Sequence, residues 1–167
     1  MRSPAAFCLA VLGITLLSVR AQPGKTCPGA QVAVRTWAAG KPGRLQTAYL
    51  APYGLPLPRT ESAHLPLPLS IAQPRDGCAP LDNSMSWKGS AVLVERGACV
   101  FTDKALNVAQ AQAAAMIVYN NETGCLILGG EQQEGGLDIL VASVTQAAIH
   151  HPAGAWFEKW IGQQGAK

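Results

Sequence analysis

The residues with the clearest chemical potential are one cysteine and two histidines. Cys99 follows Arg96 by three positions, and a nearby guanidinium favours the thiolate form of a cysteine. With His150 or His151 as general base, Cys99 would be the nucleophile of a cysteine hydrolase. Both histidines precede Pro152 in a predicted loop, and neither has an evident carboxylate partner. We therefore expect no catalytic residue in this chain.

The potential metal ligands are poorly arranged. Four cysteines follow residue 21, at Cys27, Cys78, Cys99 and Cys125. They contain no C-x-x-C pair and have no histidine at ligand spacing, which argues against zinc. Glu131 and Glu134 lie in a predicted loop without a converging histidine or aspartate, so a metal or glycosidase site is not expected there either. The sequence predicts neither a metal nor a cofactor.

Residues 1–21 have the pattern of a secretory signal peptide. Arg2 precedes an apolar run over residues 5–19, about 15 residues long and shorter than the roughly 20 that span a membrane. Residues 19–21 form an acceptable small-x-small cleavage pattern. The alternative is an uncleaved anchor. In an oxidising compartment the four later cysteines typically form two disulfides, and their spacing leaves three connectivities open.

Charge and length restrict the function further. Cleavage lowers the formal charge from +3 to +1, because Arg2 and Arg20 are lost. A near-neutral chain with scattered charges lacks the basic patch that binds nucleic acid, and it has no polybasic stripe for anionic lipid. We expect no nucleic-acid partner and no stable membrane insertion after cleavage. Residues 22–167 are long enough for one domain with its own hydrophobic core.

One strand–helix–strand unit must position the turn that carries Arg96 and Cys99. Ser90–Val94 and Met116–Tyr119 are short, β-branched-rich runs typical of buried strands. Between them, Asp103–Ala115 consists mostly of good helix formers and predicts a helix capped by Thr102. A crossover of this kind places the two strands in parallel in one sheet.

The flanking segments supply the rest of the predicted domain. Further strands are predicted at Gln31–Trp37, Leu45–Leu50, Pro68–Ala72 and Asp138–Thr145. Prolines make most of the segment from Ala51 to Pro66 an extended loop, and glycines make residues 124–136 another. Ala153–Gly162 is predicted to be a closing amphipathic helix that carries Trp156 and Trp160.

Several residues at fixed spacing give the chain a family resemblance. They are Arg96-Gly97-x-Cys99-x-Phe101-x-x-Lys104, then Asn107, an alanine-rich helix and Ile117-Val118-Tyr119-Asn120. This pattern resembles the signature of the protease-associated (PA) domain family, and residues 76–81 and the strand at Ile139 are similar to that family's flanking elements. One departure is that the family has a glycine at the helix end, Ala-Gly-Ala, where this chain has Ala111-Gln112-Ala113.

The resemblance implies a fold and a class of function. The fold is α+β and β-rich, a PA-type β-sandwich or open β-barrel with flanking helices, in one domain over residues 22–167 with its core at about 30–161. PA domains lack catalytic machinery and bind peptides or proteins, or restrict substrate access. They occur in secreted and intramembrane proteases, vacuolar sorting receptors and transmembrane ubiquitin ligases. We expect a noncatalytic binding domain, secreted or in a secretory-pathway or vacuolar lumen; the alternative is a PA portion of a larger protein of these classes.

The resemblance also implies residue roles. The arginine of the Arg-Gly-x-Cys turn contributes to peptide binding in sorting receptors, and Arg96 occupies that position; the alternative is that Arg96 bonds local loop carbonyls or Asp76. Because binding loops on a rigid scaffold usually carry specificity, the expected recognition surface combines this turn with the loop at 124–136. Trp156 and Trp160 would extend it; the alternative is that the closing helix buries both in the core.

The remaining predicted sites are disulfides and a modification. By the same resemblance, Cys78 is expected to pair with Cys99, which leaves Cys27 for Cys125. Asn121-Glu122-Thr123 is the one Asn-x-Ser/Thr sequon, so glycosylation is expected at Asn121, against the alternative of an unused sequon.

Overall fold

The computed structural model describes residues 11–15, 27, 29–38, 41–56, 64–130 and 136–145. These residues form seven strands: β1 Val11–Thr15, β2 Gln31–Ala38, β3 Lys41–Leu50, β4 His64–Ile71, β5 Ala91–Glu95, β6 Ala115–Tyr119 and β7 Leu140–Val144. One helix, α1 Phe101–Gln110, lies between β5 and β6. The β-rich α+β class expected from the PA resemblance is confirmed. The helix predicted at 153–162 lies outside the described residues.

The seven strands form one closed barrel in the order β1-β2-β3-β7-β6-β5-β4. The neighbours β4–β5, β5–β6 and β6–β7 are parallel, and the other four pairs are antiparallel. The predicted parallel pairing of the two strands that flank the helix is confirmed. Parallel neighbours require a crossover connection, which α1 supplies. In that pair Glu95 lies opposite Tyr119, so both strands end at the same level.

Strands β5 and β6 are buried on both faces, which explains why their sequences are almost continuously apolar. Leu93 and Ile117 belong to the cluster that fills the barrel. Val92 belongs to a second cluster outside the barrel, where it packs with Ala105 and Val108 of α1. The small alanine side chain lets the helix lie close to the sheet.

The helix begins earlier than the sequence predicts. It starts at Phe101 instead of Asp103, and its N-cap is Val100, with an extended backbone and no side-chain cap hydrogen bond. The predicted cap by Thr102 is therefore wrong. Thr102 already lies inside the first turn, where its hydroxyl cannot act as the cap of that turn. Asp103 lies in this turn, where a carboxylate complements the helix dipole.

The helix also ends earlier, at Gln110 instead of Ala115. Gln112 adopts a left-handed backbone conformation, with φ of 62°, and reverses the chain. Its N–H donates to Ala109 O at 2.8 Å, and the next N–H, of Ala113, donates to Val108 O at 3.4 Å. These two bonds form a Schellman motif, which ends a helix by satisfying its last carbonyls.

Strand β4 takes up part of the predicted proline-rich loop. It begins at His64, and its residues Pro66 and Pro68 lie opposite Gly13 and Val11 of β1. The expectation that residues up to Pro66 are loop is wrong at this end. Prolines two positions apart lack an N–H on the same edge of a strand, so the other edge keeps its hydrogen-bond donors.

Strand β1 lies within the segment predicted as a signal peptide. It pairs with β2 on one side and with β4 on the other, antiparallel to both. Cleavage after Ala21 would remove β1 and leave the edges of β2 and β4 that pair with it without a neighbouring strand. The cleavage itself stays a prediction. The other predicted strands overlap β2, β3 and β7.

Candidate functional site

The predicted site forms where the parallel strands β5 and β6 end. Because Glu95 and Tyr119 are paired, the residues that follow them, Arg96 and Asn120, emerge side by side. The N–H of Arg96 donates to Tyr119 O at 3.2 Å and continues the sheet into the turn. We call residues 96–100 the Arg96 turn and residues 120–124 the sequon loop.

The Arg96 side chain bridges these two segments. Its Nη1 donates to Asn120 Oδ1 at 2.9 Å and to Glu122 Oε2 at 2.7 Å. The Asn120 side chain is buried, whereas the side chains of Arg96 and Glu122 are 33% and 68% exposed. The guanidinium is thus anchored by a buried amide and paired with a carboxylate that faces solvent.

These contacts decide how Arg96 is held in the described residues. Its side-chain partners there belong to the sequon loop and are not Asp76 or the loop carbonyls considered as an alternative. An ion pair between side chains this exposed stabilises a fold by about 0–1 kcal/mol. Arg96 therefore contributes little to folding through Glu122.

The sequon loop is organised around the same arginine. Asn121 Nδ2 donates to Arg96 O at 3.3 Å, and the N–H of Glu122 donates to Asn120 Oδ1 at 3.3 Å. Asn120 Nδ2 donates to Gly124 O, also at 3.3 Å. The predicted glycosylation site and the predicted ligand-contact residue therefore lie in one hydrogen-bonded network.

Cys99 closes the other side of the turn through a disulfide with Cys78. Both cysteines are half-buried, and Asp76 Oδ1 accepts a hydrogen bond from the N–H of Cys78 at 3.1 Å. In this structure Cys99 has no free thiol to act as a nucleophile. His150 and His151, the proposed bases of the hydrolase alternative, lie outside the described residues.

Two α1 side chains brace this disulfide from below. Lys104 is fully buried, and its Nζ donates to Asp76 O and to Cys78 Sγ, the latter at 3.3 Å. Asn107 Nδ2 donates to Gly77 O at 2.9 Å. Burial lowers the pKa of Lys104, while the carboxylates of Asp76 and Glu95 act in the opposite direction.

The bracing roles of Lys104 and Asn107 were not assigned from the sequence. Both belong to the motif that carries the resemblance, and they are three positions apart, on one side of a helix. That spacing was the available signal. A lysine is seldom fully buried without a partner, so sequence reasoning alone places it at the surface.

The second disulfide joins Cys27 to Cys125, directly after the sequon loop. The structure thus has both cysteine pairs that the PA resemblance implied. Cys27 is buried and Cys125 is exposed. The bond joins the chain before β2 to the start of the glycine-rich loop, residues 124–136. This loop is described up to Gly130 and again from Gly136, while Glu131 and Glu134 lie outside the described residues.

The described part of the glycine-rich loop, residues 124–130, approaches the flanks of the Arg96 turn at two points. It starts at Gly124, which bonds to Asn120, and at Gly130 it lies close to Thr102 of α1 and the buried ring of Tyr53. Burial raises the pKa of the Tyr53 hydroxyl. The recognition surface expected from this turn and loop stays a prediction.

Two large apolar side chains are exposed in this region. Val100, the last residue of the turn, is 61% exposed, and Ile127 of the loop is 51% exposed. Burial, and then a hydrogen bond to Glu95, raise the pKa of Tyr119. The region therefore carries exposed apolar side chains as well as the Arg96–Glu122 ion pair.

The described part of the chain has neither a metal-binding cluster nor a membrane-spanning helix. No group of three or more histidine, cysteine, aspartate or glutamate residues there is arranged to hold a metal ion. No described helix is long and apolar enough to cross a membrane.

A family model and several proteins are similar to this chain in sequence. Residues 64–151, more than half of this chain, match the family model of the PA domain. The chain is 35% identical over 130 residues to signal peptide peptidase-like 2 of Arabidopsis thaliana, across 78% of this chain and 23% of that protein. It is 34% identical over 80 residues to "Receptor homology region, transmembrane domain- and RING domain-containing protein 1" of Oryza sativa subsp. japonica, across 46% and 15%.

Among solved structures, the fold is similar to that of an aminopeptidase from Aneurinibacillus sp. strain AM-1. The TM-score is 0.52 at 16% identity, and the match covers 95% of this chain and 28% of that chain. The chain belongs to the PA domain family. It spans less than a quarter of the length of the two curated relatives described above.

Proposed function

We propose that this chain is a noncatalytic PA domain that binds a peptide or protein in the lumen of the secretory pathway or outside the cell. Its two disulfides fit an oxidising compartment. The observation that supports binding is the half-exposed guanidinium of Arg96, held at a strand end by Asn120 and Glu122. The contact surface is the Arg96 turn with residues 124–130 of the glycine-rich loop.

The geometry supplies a simple exchange mechanism. The buried Asn120 amide keeps the guanidinium in place, while the exposed Glu122 carboxylate is its replaceable partner. A peptide carbonyl or carboxylate that displaces Glu122 would accept a charge-assisted hydrogen bond from a planar donor already in position. Exposed Val100 and Ile127 add apolar contact area.

The test is the loss of peptide binding in an Arg96→Ala variant. Peptides are first selected from a phage-displayed random library on wild-type protein exported to a bacterial periplasm, which is oxidising and adds no N-glycan, and their Kd values are then measured by calorimetry on protein from the same source. Loss of a hydrogen bond to a charged group costs about 1.5–3 kcal/mol, so we expect binding to weaken by roughly 10- to 100-fold. Arg75→Ala, which removes another exposed arginine, is the matched control and should bind like the wild type.

Secretion and thermal stability separate binding from folding. Asn120 Oδ1 still accepts the N–H of Glu122 when Arg96 is truncated, so the buried amide is not left unpaired. We expect Arg96→Ala to be secreted and to melt close to the wild type. Unchanged peptide affinity would show that the binding surface lies elsewhere, and a collapse of secretion would show that Arg96 is structural.

A second candidate is that this chain is the PA portion of a larger protease, sorting receptor or ubiquitin ligase, where it restricts or selects substrates. The observation that favours it is that this chain covers less than a quarter of the length of the relatives described above. Transcripts that continue in frame beyond the Lys167 codon would support it. In that setting the same Arg96 substitution would change which substrates are processed and leave the catalytic residues intact.

A further inference from the structure

The sequon at Asn121 lies on the proposed binding surface. All three of its residues, Asn121, Glu122 and Thr123, are exposed in the loop directly after β6. Asn121 Nδ2, the atom to which an N-linked glycan attaches, lies 3.3 Å from Arg96 O. The attachment atom is therefore in direct contact with the backbone of the residue proposed to bind the ligand.

The middle residue of the sequon contacts the same arginine. Glu122 Oε2 accepts a hydrogen bond from Arg96 Nη1 at 2.7 Å. Within the sequon, one residue thus bonds the Arg96 backbone and the next bonds its guanidinium. A group attached at Asn121 is therefore attached one residue away from the Glu122 carboxylate that a ligand must displace.

We propose that Asn121 is N-glycosylated and that its glycan covers the Arg96 turn, so that only the unmodified form binds ligand there. This inference rests on the proposed function and adds its regulation. Oligosaccharide transfer forms a bond between Asn121 Nδ2 and the anomeric carbon of the sugar. It breaks the bond from that carbon to the diphosphate of a lipid-linked donor, and one proton leaves Nδ2.

The remaining hydrogen on Nδ2 can keep the glycan attachment point next to the turn. An amide nitrogen carries two hydrogens, and glycosylation consumes one. The other can keep the bond to Arg96 O, which fixes the Asn121 amide, and with it the first sugar, beside the turn. Because only about a third of the Arg96 side chain is exposed, a bulky substituent at this point covers a large part of it.

The experiment compares two substitutions at Thr123 in the full chain secreted from a eukaryotic host. Thr123→Ala removes the sequon but keeps Asn121 and its contact with Arg96, and Thr123→Ser keeps the sequon. Enzymatic deglycosylation is a poorer comparison, because it converts Asn121 to aspartate beside the guanidinium. Peptide mapping by mass spectrometry first gives the occupancy of Asn121 in each protein.

The first readout is arginine labelling by phenylglyoxal, which needs no ligand. Because an N-glycan is bulky, we expect Arg96 to be labelled more slowly in the glycosylated wild type and Thr123→Ser than in Thr123→Ala. Exposed Arg75 serves as the internal reference and should react equally in all three. The second readout is the Kd for a phage-selected peptide, which should be measurable only for Thr123→Ala.

Three results would overturn the proposal: an unoccupied Asn121 in the secreted wild type, equal Arg96 labelling with and without the glycan, or equal peptide affinity of both forms. The outcome is separable from the proposed function. If Arg96→Ala leaves peptide binding intact, the proposed function fails, while slower Arg96 labelling in the glycosylated form would still establish that the glycan covers the turn.

Discussion

Replacing Gln112 by glycine should stabilise this domain. Gln112 follows α1 at the position of the Schellman motif that takes a left-handed conformation, with φ of 62°. Glycine adopts this conformation without steric strain, and the PA family has a glycine at the corresponding helix end. The Gln112 side chain is exposed, and the bonds of the motif are made by the backbone, so the substitution removes no buried packing.

The magnitude is a difference between two opposing costs. A residue with a Cβ pays about 1–2 kcal/mol in the left-handed region. Glycine loses more chain entropy on folding, which costs roughly 0.5–1 kcal/mol. We expect a net gain of about 0.5–1 kcal/mol in the free energy of unfolding. In a domain of this size that raises Tm by about 1–4 °C.

The assay is urea unfolding followed by tryptophan fluorescence, to which buried Trp87 contributes. Gln110→Gly is the matched control, because it changes the same residue types two positions earlier, inside the helix. There glycine should lower the free energy of unfolding by roughly 0.5–1 kcal/mol. Stabilities that change in the same direction in both variants would refute the assignment of Gln112 to the left-handed helix terminus.

Three further predictions follow from local geometry. A Cβ on Gly130 would lie 2.7–3.0 Å from its neighbours whereas one on Gly129 meets nothing within 4 Å, so thermal melts should show alanine costing about 1–3 kcal/mol at the first and almost nothing at the second. Loss of the Cys27–Cys125 disulfide, whose cysteines are 98 residues apart, should lower the free energy of unfolding by about 4.7 kcal/mol in chain-entropy terms. Loss of Cys78–Cys99, 21 residues apart, should lower it by about 3.3 kcal/mol, and the reverse order in urea unfolding would contradict this. The pKa of Asp82 is lowered by hydrogen bonds from the backbone N–H and then the hydroxyl of Ser84. The stability that these bonds confer is present above the unfolded pKa of 3.8 and is lost as pH falls through the folded value. Ser84→Ala should raise the folded pKa only partly, because the backbone bond remains, and NMR titration of the Asp82 carboxyl carbon would show this.

The central unit of the fold is readable from the sequence because its physics is local. Two short apolar runs separated by helix formers predict parallel strands with a crossover, and β5 and β6 have that pairing. The helix end was not readable, because a glutamine in the left-handed region carries no glycine signal. Lys104 was also missed, since its burial depends on partners supplied by a distant loop at Asp76 and Cys78.

The partners of Arg96 show why the site was only half predictable. The turn is fixed by neighbours in sequence, and its place at the end of β5 follows from the strand prediction. What Arg96 bonds depends on register: Glu95 is paired with Tyr119, and a shift by one residue would bring another residue beside the guanidinium in place of Asn120. This register is set by the packing of both faces of β5 and β6, and it cannot be read from a single sequence. Packing of the core therefore sets the contact between the sequon and Arg96. Substitutions that shift this register should move Asn121 away from Arg96, so that a glycan at Asn121 no longer affects access to Arg96.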